Sequence, residues 1–340
     1  MFSIWKEIKL KRCSRCVLPE TFPGISFDDE GVCNFCRSFK GMDDLRDSIS
    51  EYREKFEQLL EKYRKKGTHD CLMAYSGGKD STYTMLVLKE KYDLSILALT
   101  MDNGFISPAA IDNIRKVSEK LKVDSIIYKP RFDLLKKIFV KAAKSPMYSK
   151  KTLERASTIC TSCIGIIKYM VLRKAIESNI PFITFGWSPG QAPIEASILK
   201  NNPAMIRMMQ KSLYKPMLEA AGPEIDNYFL TEKHFSMKKR FPYNISPLAF
   251  LEYDETKMMQ KIGELGWEKP NDTDSNSTNC LLNALGNKVH LEKFNFHPYA
   301  FELANLVREG YMDRGEAIER LEEKGNSQII KEARKRLEID

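Results

Sequence analysis

The sequence predicts an α/β protein: a parallel sheet flanked by helices, with a small N-terminal cysteine module and a mostly helical C-terminal region. Three observations predict it. Between residues 70 and 190, short apolar runs alternate with stretches of helical periodicity, the signature of βαβ units. Residues 1 to 40 hold two CxxC pairs among prolines and glycines, a turn-rich pattern with little to build a core from. From residue 255 onward helical periodicity returns without strand-like runs.

The elements follow in order. DDLRDSISEYREKFEQLLEKYRKK, residues 43 to 66, has apolar residues at helical spacing and reads as an amphipathic helix ended by Gly67, linking the small module to the sheet (41–69). DCLMAY is a first strand and STYTMLVLKEKY a helix. SILALTMD is a second strand, followed by a helix from Pro108 to about Lys122. VDSIIYK is a third strand; IGIIKYMVLRKAIESN is a helix leading to PFITFGW, a fourth. Residues 190 to 250 are less regular, and NNPAMIRMMQKSLYKPMLEAA is a Met-rich helix whose methionines read as core or pocket filler. The sheet domain therefore runs from 70 to 250, with an acceptor-pocket region from 190, and the helical C-terminal region from 251 to 340.

The chain has 340 residues, 43% apolar and 29% charged, as ordinary globular proteins do. No apolar run approaches the roughly 20 residues that span a bilayer, and the N-terminal MFSIWKEIKLKRC lacks a leader's apolar core. The expected location is the cytoplasm, with no membrane partner. A net charge of +8 fits either a moderately basic surface or a polyanionic partner.

In a parallel sheet, ligands bind outside the carboxyl ends of the strands. Three loops fall at that edge: SGGKDS after the first strand, TMDNG after the second, GWSPGQ after the fourth. Backbone N–H groups of a glycine turn at a helix N-terminus favour an anion, and Lys79 adds a point charge. GxxxxGK[ST] is absent.

SGGKDS resembles the fingerprint of the PP-loop ATP pyrophosphatases, a superfamily with the HUP-type sheet. The resemblance covers residues 70 to 190. It implies that Ser76, Gly77, Gly78, Lys79, Asp80 and Ser81 hold the pyrophosphate portion of ATP, with Mg2+ accompanying the nucleotide. It implies adenylation of an acceptor oxygen, release of pyrophosphate and displacement of AMP by a nucleophile, with Lys79 and Asp80 taking part. Met101 and Asp102 are candidate adenosine contacts, although Asp102 equally suits a helix cap; Gly186 lies in a further candidate phosphate-side loop. Many members are dimers, so a homodimer is a candidate assembly.

Six of the eight cysteines form CxxC pairs. Cys13, Cys16, Cys33 and Cys36 give C-x2-C-x16-C-x2-C, within the range of a four-thiolate zinc site that folds its own module; a rubredoxin-like iron is the minor alternative. The segment CSRCVLPETFPGISFDDEGVCNFC resembles the N-terminus of N-acetyl sugar amidotransferases, PP-loop proteins that take ammonia from a partner glutaminase.

Cys160 and Cys163 open a helix inside the sheet domain, and Cys71 lies in the first strand as a core residue. The CTSC pair reads as buried small residues, a redox pair or metal ligands. With Cys280 it forms a set of three that resembles the PP-loop tRNA thiolases, whose three cysteines hold a 4Fe-4S cluster with one open iron. That resemblance makes Cys160, Cys163 and Cys280 both cluster ligands and catalytic residues, provided Cys280 folds back to the pair. Asn276 and Asn279 flank Cys280 and read first as helix caps. His297 and Arg308, eleven residues apart, fit one helix face and a shared pocket.

The expected reaction is ATP-dependent sulfur transfer to a tRNA base or small molecule, which needs a sulfur donor. The alternatives are sugar amidotransfer, which leaves three cysteines without a role, and a non-catalytic nucleotide-binding regulator, which has no need of SGGKDS.

Overall fold

The computed structural model describes residues 10–274 and 276–339. MFSIWKEIK, most of the stretch scanned for a leader, lies outside the described residues, so the cysteine module is seen from residue 10.

Six strands form one sheet: β1 (Cys71–Ala74), β2 (Ile96–Met101), β3 (Asp124–Tyr128), β4 (Phe182–Phe185), β5 (Ile198–Lys200) and β6 (Tyr243–Ile245). Their order is β3-β2-β1-β4-β6-β5, with every neighbouring pair parallel except β5 against β6. β1, β2 and β4 are covered on both faces, which is why they read as unbroken apolar runs. β3 closes one edge, and its Ile127 and Tyr128 are exposed.

Thirteen helices are described: α1 (Asn34–Arg37), α2 (Met42–Tyr63), α3 (Lys79–Glu90), α4 (Pro108–Lys120), α5 (Phe132–Lys144), α6 (Thr158–Ser178), α7 (Pro203–Ala221), α8 (Glu232–Ser236), α9 (Glu255–Gly263), α10 (Asn283–Phe294), α11 (Ala300–Arg308), α12 (Arg314–Glu322) and α13 (Ser327–Leu337). Ser107 caps α4 by accepting from Ala110 N, with Pro108 in the first turn. α5, β5 and β6 go beyond the sequence expectation. The two strands have three residues each, too few for a period of two to show. α5 buries Leu134, Leu135, Ile138, Phe139 and Ala142 along one face.

The strand order reverses between β1 and β4. The crevice there, at the carboxyl ends, is the ligand position in open α/β sheets. Close approach closes its floor: a Cβ on Gly186, just after β4, would sit 2.3 Å from Ser81 Cα and 2.6 Å from Ser81 N.

Two expectations are corrected. The α7 methionines are not all filler: Met217 is buried, but Met205, Met208 and Met209 are exposed, because α7 turns only one face to α5 and α6. His297 and Arg308 share no pocket. His297 precedes α11 and accepts from Tyr299 N, whereas Arg308 points from the end of α11 to Cys16 Sγ, 3.8 Å away.

The cysteine module docks on the C-terminal helices. Arg314 donates to the carbonyls of Cys16 and Cys13 at 2.9 and 3.0 Å. Phe22 stacks on Phe301 with ring centroids 5.6 Å apart and meets Phe35 and Phe296 edge-on.

Gly186→Ala should destabilise the protein by about 1–3 kcal/mol, the usual cost of overpacking. Gly263→Ala is the control: its Cβ meets nothing within 4 Å and it ends a helix, so a neutral or slightly stabilising change of up to about 1 kcal/mol is expected. Urea unfolding of the two variants checks the contrast; equal midpoints would contradict the close-approach account.

Candidate functional site

The 76–81 loop begins where β1 ends. Gly77 has φ +74, and a Cβ there would lie 2.7 Å from Ile114 Cγ1 and 2.8 Å from the Ala110 carbonyl. Only glycine takes that conformation in that space. Trp267 Nε1 donates to the Gly77 carbonyl at 2.9 Å. Gly78 is the N-cap of α3 and offers no side chain; Thr278 Oγ1 accepts from Lys79 N at 3.1 Å. Ser76 and Ser81 hydroxyls meet at 3.0 Å.

The loop divides its side chains between two cavities. Ser76 and Ser81 line one of about 270 Å³, with Met101, Gly186 and Trp187. Cys160, Cys163 and Cys280 line the same cavity. Ser157 caps α6 by accepting from Cys160 N, which sets Cys160 in the first turn and Cys163 on the next. Cys280 arrives by backbone pairing: Ser107 N donates to the Asn279 carbonyl at 2.9 Å, and Leu281 N to the Phe105 carbonyl at 2.8 Å. Asn103 Nδ2 reaches Cys163 Sγ at 3.4 Å and Cys280 Sγ at 3.7 Å; Asn283 Nδ2 reaches Cys160 Sγ at 3.8 Å. Burial raises all three thiols above the ordinary cysteine value, so a cation is what would hold them as thiolates. Three converging thiols with amide donors on the sulfurs are a donor set that fits an iron–sulfur cluster.

Lys79 and Asp80 face a larger, polar cavity of about 820 Å³, with Tyr253, Glu255 and Arg320. Lys79 Nζ lies 2.9 Å from Glu255 and 3.6 Å from Asp80, Arg320 lies 3.1 Å from Glu255, and Tyr253 OH donates to Asp80 at 3.3 Å. Burial pulls Lys79 down, but the carboxylates of Asp80 and Glu255 outweigh it and raise the amine above its ordinary value. Burial raises Asp80, only partly offset by Lys79.

Of the other candidates, Asp102 turns away from the loop: Oδ1 accepts from Gly104 N at 2.8 Å and Oδ2 pairs with Lys129 at 3.3 Å. It caps no helix, since Ser107 does that for α4. Asn276 and Asn279 are not helix caps either. The Asn276 amide donates to the Arg320 carbonyl, and Asn279 accepts from Ser277 and lines the cysteine cavity. Cys71 is buried and bonds Thr184 Oγ1 at 2.9 Å. Tyr253, Glu255, Arg320 and Asn283 carry no local pattern in the sequence. Asn103 lies in the TMDNG loop and Thr278 two residues from Cys280, the two signals that could have found them.

At the N-terminal module, the Sγ atoms of Cys13, Cys16, Cys33 and Cys36 lie within 4.8 Å of one another and are buried. Cys13 and Cys36 are 3.8 Å apart, Cys16 and Cys33 3.7 Å. A tetrahedron with Zn–S of about 2.3 Å has S–S edges of about 3.8 Å, so the donor set fits one tetrahedral metal ion.

Glu302 stands between the polar cavity and a third one, lined by both α6 and α7. Burial pushes it up to about 7, against the 2.6 Å bond from Ser188 Oγ.

The chain matches no protein-family model. It is 24% identical over 328 residues to an uncharacterized protein of Methanocaldococcus jannaschii, covering 96% of this chain and 98% of that one. Among solved structures it is similar to the U34-tRNA thiolase NcsA from Methanococcus maripaludis with its [4Fe-4S] cluster (21% identity, TM-score 0.37, covering 89% of this chain and 88% of that one). It is also similar to the NH3-dependent NAD synthetase from Campylobacter jejuni (10% identity, TM-score 0.31, 68% and 98%). Among the described residues no helix is long and apolar enough to cross a membrane.

Two outcomes are expected. Metal analysis of the purified protein should find one zinc at the N-terminal module, lost in Cys33→Ser together with a lower thermal midpoint; an unchanged metal content would remove the site. Glu302 and Glu309 both hold protons up to about 7 in the folded chain, against about 4.3 unfolded. Their contribution to stability is therefore present below the unfolded value and is lost as pH rises through about 7. Glu302→Gln cannot lose it, so its stability should fall less between about pH 4.5 and 7 than that of the parent. Identical slopes in urea unfolding would refute the buried-acid assignment.

Proposed function

We propose that the chain adenylates an acceptor oxygen with ATP at the 76–81 loop and that a sulfur nucleophile then displaces AMP, leaving a thiocarbonyl. One observation carries this reading. Cys160, Cys163 and Cys280, from distant parts of the chain, line the cavity that Ser76, Ser81 and Gly186 also line. Ammonia transfer gives those cysteines nothing to do.

The first step is assigned to the loop. The N–H groups at the start of α3 and the Ser76 and Ser81 hydroxyls bind the phosphate chain, with Lys79 N exchanging its bond to Thr278. Lys79 and Arg320 exchange Glu255 for phosphate oxygens and stabilise the departing pyrophosphate. Asp80 orients the Mg2+ that arrives with ATP. The acceptor oxygen attacks the α-phosphorus and the bond to the β-phosphate oxygen breaks. In the second step a sulfur nucleophile attacks the activated carbon, and AMP leaves with the acceptor's original oxygen.

Cys160, Cys163 and Cys280 would hold a 4Fe-4S cluster, whose chemistry is to present sulfide at an iron without a protein ligand. Asn103 and Asn283 orient the sulfurs. Cys13, Cys16, Cys33 and Cys36 would hold zinc in a folding role. tRNA and a small molecule both remain within this reaction.

The test is anaerobic reconstitution with iron and sulfide. The expected product is a coloured protein whose visible absorption is lost in Cys160→Ala and Cys280→Ala, while zinc is retained. Lys79→Ala should lower pyrophosphate release by about 10²–10³-fold, the scale of losing one transition-state donor. A colourless chain that releases AMP only with ammonia would replace sulfur transfer by amidotransfer. Full activity of Asp80→Ala would refute the loop assignment.

A further inference from the structure

Beside the two cavities of the loop lies a third, of about 470 Å³, between α6, α7, α11 and the 147–156 segment. Its size is that of small-ligand sites. It adjoins the cysteine cavity through Ile164 and Trp187, which line both, and the polar cavity through Glu302.

Its walls carry two rings, each with a cation over it. Lys168 Nζ lies 4.4 Å from the centroid of Trp187, and Arg155 Cζ 5.0 Å from that of Phe301. Both rings are held from behind: Trp187 stacks on Phe185 at 5.0 Å, and Phe301 on Phe22. Among the described residues neither cation has a carboxylate within salt-bridge distance, whereas Lys79 and Arg320 next door each have two. Arg155 is fixed instead by its 2.9 Å bond to the Gln191 carbonyl. Burial, with Arg155 adding a like charge, pushes Lys168 down to about 8. An anion would relieve that cost; a neutral occupant would leave it in place.

We propose that this cavity is the acceptor site, and that the acceptor is a small molecule with a flat or apolar ring face and one acidic group. The acid lies on Lys168 and Arg155, which Trp187 and Phe301 hold in place, and the ring lies against the apolar wall of Ile164, Met209 and Leu213. The proposal rests on the adenylation reading and narrows its acceptor. A carboxylate and a phosphate meet the same two cations, so the acid's identity is left to the experiment. The cavity is the size of a small molecule and not of a nucleic-acid strand; Lys211 and Lys215 lie on an open shelf beside Glu219 that adjoins it through Met147 and Ser212.

Pyridoxal 5′-phosphate tests it: the probe has a flat ring, a phosphate, and an aldehyde that condenses with an unprotonated amine. The full-length protein is treated near neutral pH, reduced with borohydride and mapped by peptide mass spectrometry. Label at Lys168 should exceed that at Lys211 and Lys215 by about tenfold or more, because the cavity seats the probe's ring and phosphate beside that amine. Either N-acetylneuraminate, a ring carboxylate, or uridine monophosphate, a ring phosphate, should suppress that label, and the uncharged N-acetylglucosamine should not. The effective one identifies the acid. Label spread over surface lysines would overturn the proposal. So would equal protection by the neutral sugar, protection by ATP alone or by bulk tRNA alone, or no protection. No AMP is formed in this measurement, so a failure of the adenylation reading would register separately.

Discussion

The candidate site depends on a short backbone pairing between two distant segments. Residues 105–107, just past β2, form a two-bond ladder with 279–281, and that ladder fixes the path of the whole 276–282 loop. From it Thr278 reaches Lys79 N, Cys280 joins the α6 cysteines in lining one cavity, and Asn283 reaches Cys160. Without the ladder α3 would lack its cap, and Cys280 would be an isolated thiol. β2 supplies the anchor because it is buried along its whole length and paired on both sides, to β3 and β1.

The ladder also separates two electrostatic regimes. On the cysteine side the groups are sulfurs, hydroxyls and amides, and burial works against charge. On the lysine side charges are paired: Arg320 bridges Glu255 and Glu316 at 3.1 and 2.6 Å, and Lys79 completes the chain. Ion pairs of this kind contribute little net stability, so their worth here lies in arrangement. Two cations are held next to a helix N-terminus by carboxylates, which on the proposed reading a polyphosphate would replace. The neighbouring third cavity inverts this: among the described residues its two cations have no carboxylate within salt-bridge distance.

How much was legible follows from range. β1 through β4 could be read because central parallel strands are continuous apolar runs, and SGGKDS because its six residues are contiguous. The four N-terminal cysteines were legible because their spacing is short. Meeting of Cys280 with Cys160 and Cys163 was only an expectation, since no local pattern encodes a ladder between residues 106 and 280. Tyr253, Glu255 and Arg320 are ordinary residues that become partners of Lys79 only through tertiary packing. The Met-rich helix misled for a related reason: apolar composition does not say which face of α7 is covered, and Met208 is 70% exposed.

The cysteine module precedes the loop in sequence, yet it packs against the C-terminal helix that lines two of the cavities. Its own core is slight, and it borrows one from the C-terminal helices through Arg314 and Phe22. Phe22 is stacked at 10° on Phe301, and Arg155 stands over that same ring. A metal ion that folds the module would therefore also fix the ring forming one wall of the third cavity. Glu302, the next residue, is bonded to Ser188 in the loop that follows β4. The module thus behaves as a brace between the C-terminal helices and the carboxyl edge of the sheet. On the proposed reading, a loop and a set of thiols do chemistry on a substrate only if something holds that substrate still, and the brace, acting through Phe301 and the Arg155 above it, would supply that constraint.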